Sequence, residues 1–171
     1  TVGGDGPFSD CDNLKNVTFE AGTTRIAQNL FGDCKGLEKI EIPDTVQSIE
    51  FRSFYKCGSL TDVKIGSEVT KIGDGAFEDC SKLAAIMIPD SVVEIGSYSF
   101  SECKSLSSVK LSSNLKTLEY GAFYNCDKLT SIMIPKSLEE ATRITPTVGG
   151  DGPFSDCDNL KNVTFEAGTT R

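Results

Sequence analysis

The chain has 171 residues, enough for one ordinary domain, and its 38% hydrophobic and 25% charged residues are typical of a globular protein. Its net charge is −8 without any basic run, which argues against nucleic acid and anionic membrane surfaces as partners, because both require clustered Lys and Arg. No apolar run is long enough to cross a bilayer, so membrane insertion is not expected. The absence of His removes the usual general base and nucleophile activator, which argues against an enzyme.

The cysteines reveal an internal repeat. The first six cysteines follow one another at intervals of 23 residues, and the seventh follows after a longer interval that contains an insertion of eight residues. Each Cys follows a Phe by three positions and precedes a Leu by three, and two aliphatic positions come next. The unit reads F-x-x-C-x-x-L-x-x-I-x-I-P-x-x-V-x-x-I-G-x-x-A. Its cysteines are Cys11, Cys34, Cys57, Cys80, Cys103, Cys126 and Cys157.

The repeat predicts a stacked structure. A unit this short cannot bury its apolar side alone, whereas stacked copies share a continuous core. Leu37, Ile40 and Ile42 alternate with polar Lys39 and Glu41, the period of a half-buried strand. We therefore expect a β-rich solenoid of the leucine-rich-repeat type. It is a right-handed stack of coils with a parallel sheet on one face and short β or 3-10 turns on the other.

Proline adds a second, longer period. The coils that begin at Phe31, Phe77 and Phe123 carry Ile-Pro at the end of the strand, and the coils between them do not, so the sequence unit is a pair of coils, twice the cysteine interval. Proline has no ladder donor and should end the strand. Gly73, Gly96 and Gly121 are expected at the turn on the other side, where backbone freedom is useful.

The two ends of the chain have the same sequence. Residues 147–171 repeat residues 1–25 letter for letter, which indicates a tandem duplication. We interpret residues 1–171 as a single solenoid of about seven coils, with residues 139–153 inserted before the last coil. The first strand (16–19) and the last (162–165) each have one open edge and no polar cap. End-to-end self-association is therefore expected.

Residues 77–100, F-E-D-C-S-K-L-A-A-I-M-I-P-D-S-V-V-E-I-G-S-Y-S-F, resemble the consensus of the BspA-like class of leucine-rich repeats. The resemblance covers nearly the whole chain. It implies an extracellular or cell-surface protein of a bacterium or protist, often an adhesin for matrix proteins or other cells. The sequence departs from the pattern at Gly-Thr-Thr (22–24 and 168–170) and at residues 139–153.

The cysteine column has three interpretations. Buried thiols are favoured, because free Cys packs as a small hydrophobe between the Phe and the Leu of each coil. Disulfides between neighbouring coils are geometrically conceivable, although parallel side chains point alike. A zinc site lacks His and short ligand spacing, so we expect no metal and no cofactor. The turn Gly3–Gly6 with Asp10 and Asp12, and its copy at Asp151, Asp156 and Asp158, fits a plain turn better than a Ca²⁺ site.

The solvent-facing strand positions are the candidate binding site. With the aliphatic residues inward, one outward column comprises Thr18, Glu41, Lys64, Met87, Lys110, Met133 and Thr164. Both methionines of the chain are in it. We predict a ligand surface for a protein or glycan at Lys64, Met87, Lys110 and Met133, with Ala85 and Glu41 beside them. Isolated exposed apolar residues are also common, so the alternative is a structural spacer in a surface array.

Overall fold

The structure, a computed structural model, describes residues 6–140 and 152–167. It is a parallel-strand solenoid in which each coil pairs with the next at the predicted interval, so that Ile26 lies opposite Ile49 and Ile49 opposite Ile72. One face carries a continuous five-stranded parallel sheet in which every strand is two residues long and ends in a buried aliphatic residue. In spatial order its strands are β1 (Arg25–Ile26), β3 (Ser48–Ile49), β5 (Lys71–Ile72), β7 (Glu94–Ile95) and β9 (Thr117–Leu118).

The second face, which carries the strands predicted from the sequence, is divided into three two-stranded parallel ladders. They are β2 (Lys39–Glu41) with β4 (Asp62–Lys64), β6 (Ala85–Met87) with β8 (Ser108–Lys110), and β10 (Ser131–Ile134) with β11 (Asn162–Phe165). Each ladder joins a coil that has the proline to the following coil that lacks it. No ladder joins one such pair to the next within the described residues. The expected parallel pairing therefore follows the period of two coils.

The interruption lies on the upstream side of each coil that has the proline. In the last ladder the N–H of Glu166 donates to the carbonyl oxygen of Ile134 in the coil before it, at 3.0 Å. In the alternate coils the position of Glu166 is occupied by Pro43, Pro89 and Pro135, which have no N–H. A coil with proline therefore lacks this donor toward its upstream neighbour, and β4 and β8 remain unpaired on their downstream sides.

The core is a set of identical columns. Phe54, Phe77, Phe100 and Phe123 are fully buried, and the rings of Phe54 and Phe77 stack at 5.1 Å between centroids with 6° between their planes. The expected file of buried leucines is also present, and its members Leu37, Leu60, Leu83 and Leu106 have no exposed surface. Stacked copies therefore exclude water from positions that a single coil would leave open.

From Cys34 onward, each cysteine thiol is close to a carbonyl of the preceding coil. Cys57 Sγ donates to the Phe31 carbonyl at 3.1 Å, and the same bond recurs for each cysteine from Cys34 to Cys157. Burial raises the pKa of the Cys57 thiol to about 12 and raises that of Cys103 further. All seven thiols are free; six are buried, and only Cys11, in the first coil, is partly exposed.

Left-handed turns, which the sequence analysis did not predict, close each coil. The residue before every cysteine has positive φ, for example 58° at Asp33 and 56° at Asn125. Asp and Asn tolerate this conformation better than most residues, and they supply it in five of the seven coils. The expected use of glycine is partly wrong. Gly121 has φ 58°, but Gly96 has no positive φ and instead lies against the Gly73–Asp74 backbone, where a Cβ would clash.

The stack continues across the insertion. β10 pairs with β11, with Ser131 opposite Asn162, and the Phe154 ring stacks on Phe123 at 5.3 Å. A short helix, α1 (Lys136–Glu140), follows β10 and buries Leu138. The rest of the insertion, residues 141–151, lies outside the described residues. Within the part that is described, no helix is long and apolar enough to span a membrane.

Candidate binding surface

The outward column lies on the face of the three ladders, because alternate strand residues point to opposite sides of a sheet. The buried partners Ile40, Ile86 and Ile132 point inward. The side chains of Met87 and Met133 are 65% and 61% exposed, which is high for residues of this size. The other predicted site residues are also exposed: Glu41, Lys64, Ala85 and Lys110.

The ladders bring the column residues together in pairs. Glu41 lies directly opposite Lys64, and Met87 lies directly opposite Lys110. Ala85 lies opposite Ser108 in the same ladder as Met87. Met133 lies opposite Thr164. The predicted site is therefore three neighbouring pairs of different chemistry.

The first pair is an ion pair. The Lys64 ammonium donates to a carboxylate oxygen of Glu41, and this hydrogen bond raises the pKa of Lys64. Both side chains are largely exposed, so the pair contributes little to stability. Its charges are locally compensated, which makes Lys64 a weaker anchor for an anionic ligand than the sequence suggests. Lys110, which opposes a methionine, has no ion pair with a carboxylate in the described part of the chain.

A groove of about 350 Å³ lies where the ladder is interrupted between β8 and β10. Lys110 and Met133 both line it, so the structure brings together two of the residues predicted from the sequence. Apolar side chains form much of its wall, and three charged side chains also line it. The lining residues are Asp90, Val109, Lys110, Leu111, Ser113, Met133, Pro135 and Glu166.

Two carboxylates of the groove are held by backbone N–H groups. Asp90 accepts the N–H of Ser113 at 2.9 Å, and this bond, assisted by the charge of Lys110, lowers the pKa of Asp90. Glu166 accepts the N–H of Lys136 at 3.0 Å. Asp90 is therefore charged at neutral pH and fixed in orientation. The groove offers one ammonium, two carboxylates and a largely apolar lining.

The sequence analysis missed Asp90, Pro135 and Glu166. The alternation of coils with and without proline could have indicated them. The groove opens between β8 and β10, and β10 belongs to a coil that has the proline. The same residue types recur one coil pair earlier, at Asp44 and Pro89. Asp44 likewise accepts the N–H of Ser67, at 2.7 Å.

The acidic and thiol side chains do not gather into a metal site in the described part of the chain. Within residues 6–140 and 152–167, no three His, Cys, Asp or Glu side chains converge on a point that could hold a metal ion. Asp12 of the Gly-rich turn instead lies 3.5 Å from the Lys35 ammonium. The remainder of that turn, Gly3 to Asp5, and its copy at Asp151 lie outside the described residues.

The class of protein follows from these features: a leucine-rich-repeat solenoid with an open strand face. Models of the BspA-type leucine-rich-repeat region match residues 3–92, 24–145 and 70–171, in six copies. The chain therefore belongs to the BspA-type leucine-rich-repeat family. Repeat families of this kind generally have structural or binding roles.

Three crystal structures show the same architecture. A leucine-rich-repeat protein of T. pallidum is 30% identical over 82% of this chain and 62% of that one, with a TM-score of 0.75. One from Bacteroides ovatus is 30% identical over 83% and 41% (TM-score 0.59). The pneumococcal vaccine antigen PcpA is 27% identical over 85% and 36% (TM-score 0.71). This chain thus spans less than two thirds of each. No curated protein sequence matches it.

Proposed function

We propose that the chain is a binding module of a cell-surface or secreted protein and that it contacts its partner through the face of the three ladders. One observation carries the proposal. Met87 and Met133 are more than half exposed on one face, and a groove opens between Met133 and Lys110. Flexible, polarisable methionines suit a surface that adapts to a partner.

The chemistry of the groove favours a protein over a glycan as partner. Its lining is largely apolar and includes the fixed carboxylates of Asp90 and Glu166 together with the ammonium of Lys110. A peptide segment with an apolar side chain next to Lys or Arg would complement these groups. A glycan would gain less from exposed methionines, because its hydroxyl groups need hydrogen-bonding partners.

An extracellular location is part of the proposal. It is supported by membership of the BspA-type family and by similarity to the pneumococcal vaccine antigen. The proposal includes no catalytic role. Burial raises the pKa values of the Cys57 and Cys80 thiols, which makes these two poor nucleophiles.

The alternative function is a spacer in a surface array. A spacer needs no apolar residues on its exposed strand face, so Met87 and Met133 favour binding. A single comparison separates the two functions. Immobilised extracellular-matrix proteins and a glycan array are screened with the natural chain and with the double variant Met87→Ser, Met133→Ser.

We expect the double variant to lose at least about tenfold in affinity for a protein from the screen, since two exposed methionines leave the interface. Its melting temperature should remain within a few degrees of the natural value, because surface substitutions cost little. Val93→Ser is the matched control, since Val93 is 38% exposed and lies outside the groove and the ladder strands. Unchanged affinity in the double variant would contradict the proposed surface.

A further inference from the structure

The residues that line the groove between β8 and β10 recur two coils upstream, between β4 and β6. Within the described residues the ladder is interrupted at both places. Six of the lining positions carry the same residue in both sets, Leu111 corresponds to Ile65, and Glu166 corresponds to Ser112. The identical members of the upstream set are Asp44, Val63, Lys64, Ser67, Met87 and Pro89.

The two sets also share their backbone contacts. Asp44 accepts the N–H of Ser67 at 2.7 Å, as Asp90 accepts that of Ser113 at 2.9 Å. These bonds lower the pKa of both carboxyl groups, so both are charged at neutral pH. The methionine of each set is more than half exposed. The groove and the upstream set are therefore two copies of one structural unit.

Each set has one more carboxylate than ammonium groups. Lys64 is in an ion pair with Glu41, and the carboxylate of Asp44 is additional. In the groove, the Lys110 ammonium lies with the two carboxylates described above. A ligand that contacts both sets should therefore present a cation to each, next to an apolar group for each methionine.

The spacing of the two sets selects the conformation of such a ligand. The sets lie about 10 Å apart along the stack, because each coil advances by about 4.8 Å. The stacked rings agree, since Phe77 lies 5.1 Å from Phe54 and 5.3 Å from Phe100 between centroids. In a polyproline II segment, side chains three residues apart lie on one side at about 9 Å. In a β-strand, side chains on one side recur at about 7 Å or 13 Å, which fits poorly.

An α-helix also reaches this distance, with side chains seven residues apart at about 10.5 Å. It needs two complete turns to do so, and isolated helices shorter than about 12 residues are marginal in water. A polyproline II segment needs only about four residues to reach both sets, and unfolded chains already populate this conformation. The spacing and the ordering cost together favour polyproline II.

We propose that the two sets are successive subsites for one partner, an extended protein segment in the polyproline II conformation. Its apolar and cationic residues recur every three positions. The inference rests on the proposed binding function and adds the conformation and the repeat of the partner. At each subsite an apolar side chain packs on Met87 or Met133, and the neighbouring Arg or Lys meets Asp44 or Asp90.

Synthetic peptides of about twelve residues, enough for several polyproline II turns, are the probes. The first repeats Pro-Leu-Arg. The second has the same residues in an order without the three-residue period, so its charge is equal. The third places Leu-Arg pairs seven residues apart in an alanine-based helix. We expect the first to bind the natural chain at least about tenfold more tightly than the other two, because it engages both subsites together. Isothermal titration calorimetry measures the affinities.

Asp44→Asn and Asp90→Asn then test each subsite separately. Asparagine keeps the shape and an oxygen for the serine N–H but removes the charge, so each variant should bind the repeating peptide roughly tenfold more weakly. Asp74→Asn is the matched control. Asp74 accepts the N–H of Ser97 at 3.0 Å in the same way but does not line the groove, so affinity should stay unchanged. Circular dichroism verifies folding of all three.

Four outcomes would overturn the proposal. They are no binding of the repeating peptide, equal binding of the repeating and reordered peptides, tighter binding of the helical peptide, and a loss in Asp90→Asn without one in Asp44→Asn. None of these removes the proposed binding function. That function stands or falls separately, on whether a protein from the matrix screen depends on Met87 and Met133.

Discussion

Residues 8–20 and 154–166 have one sequence and two structures. In the second copy, residues 162–165 form strand β11 on β10, whereas in the first copy residues 16–19 form no strand, contrary to the expectation from the sequence. The thiols differ too: Cys157 is 7% exposed and donates to the Phe123 carbonyl, but Cys11 is more exposed. Only the neighbouring coil differs between the copies.

The difference shows that a coil of this solenoid has two unlike sides. Toward the coil before it, the second copy donates the Glu166 N–H and the Cys157 thiol to carbonyl oxygens. Toward the coil after it, the first copy donates the Asp10 N–H to Gly32 and offers its Phe8 carbonyl to the Cys34 thiol. The second copy has a neighbour on its upstream side and therefore completes its ladder. Among the described residues the first copy packs against the coil that follows it, in which Pro43 has no N–H to donate at the position of Glu166.

The largest expected effect contrasts the middle of the stack with its ends. Leu83→Ala should cost about 2–5 kcal/mol of unfolding free energy, because Leu83 is fully buried between two coils. Leu14→Ala and Leu160→Ala, in the two half-covered copies, should each cost about 1 kcal/mol. Urea denaturation followed by circular dichroism measures all three. A similar loss at all three positions would mean that the end coils are covered as fully as the middle.

A second expectation concerns the two thiols in identical sequence. Cys11 should react first with a disulfide reagent at neutral pH, and Cys157 should react more slowly because it is buried and bonded to Phe123. Mass spectrometry of peptides from the labelled chain separates the two sites. After denaturation without reductant, all seven thiols should react. A count below seven would reveal disulfides and contradict the buried-thiol column.

The smallest expected effect is in amide exchange. The N–H of Glu166 bonds to Ile134 and that of Lys161 bonds to Thr130, whereas Glu20 and Lys15 make no equivalent backbone bond among the described residues. Flanking residues are identical, so intrinsic exchange rates match. We expect exchange at positions 161 and 166 to be slower by roughly tenfold or less, since terminal coils open readily. Nuclear magnetic resonance exchange measurements on the folded chain provide the comparison, and equal rates would show that β11 is not a stable strand.

The repeat made much of this architecture predictable. The alternation of Leu37, Ile40 and Ile42 with Lys39 and Glu41 placed each side chain on the correct face, because strand periodicity is local. It therefore also placed Met87 and Met133 at the surface. The Asp or Asn that precedes most of the cysteines could have predicted the left-handed backbone at these positions, and the sequence analysis overlooked it. The five-stranded sheet was harder to predict, since its strands are only two residues long.

The sequence by itself determined the family, the coil length, the buried columns and the outward residues, because these depend on spacing along the chain. Only the tertiary structure decided which coils share ladder bonds and where the groove opens between Lys110 and Met133. It also decided that residues 16–19 and 162–165 differ. Hydrogen bonds between coils depend on the neighbour that supplies the donor, and no single repeat contains that information.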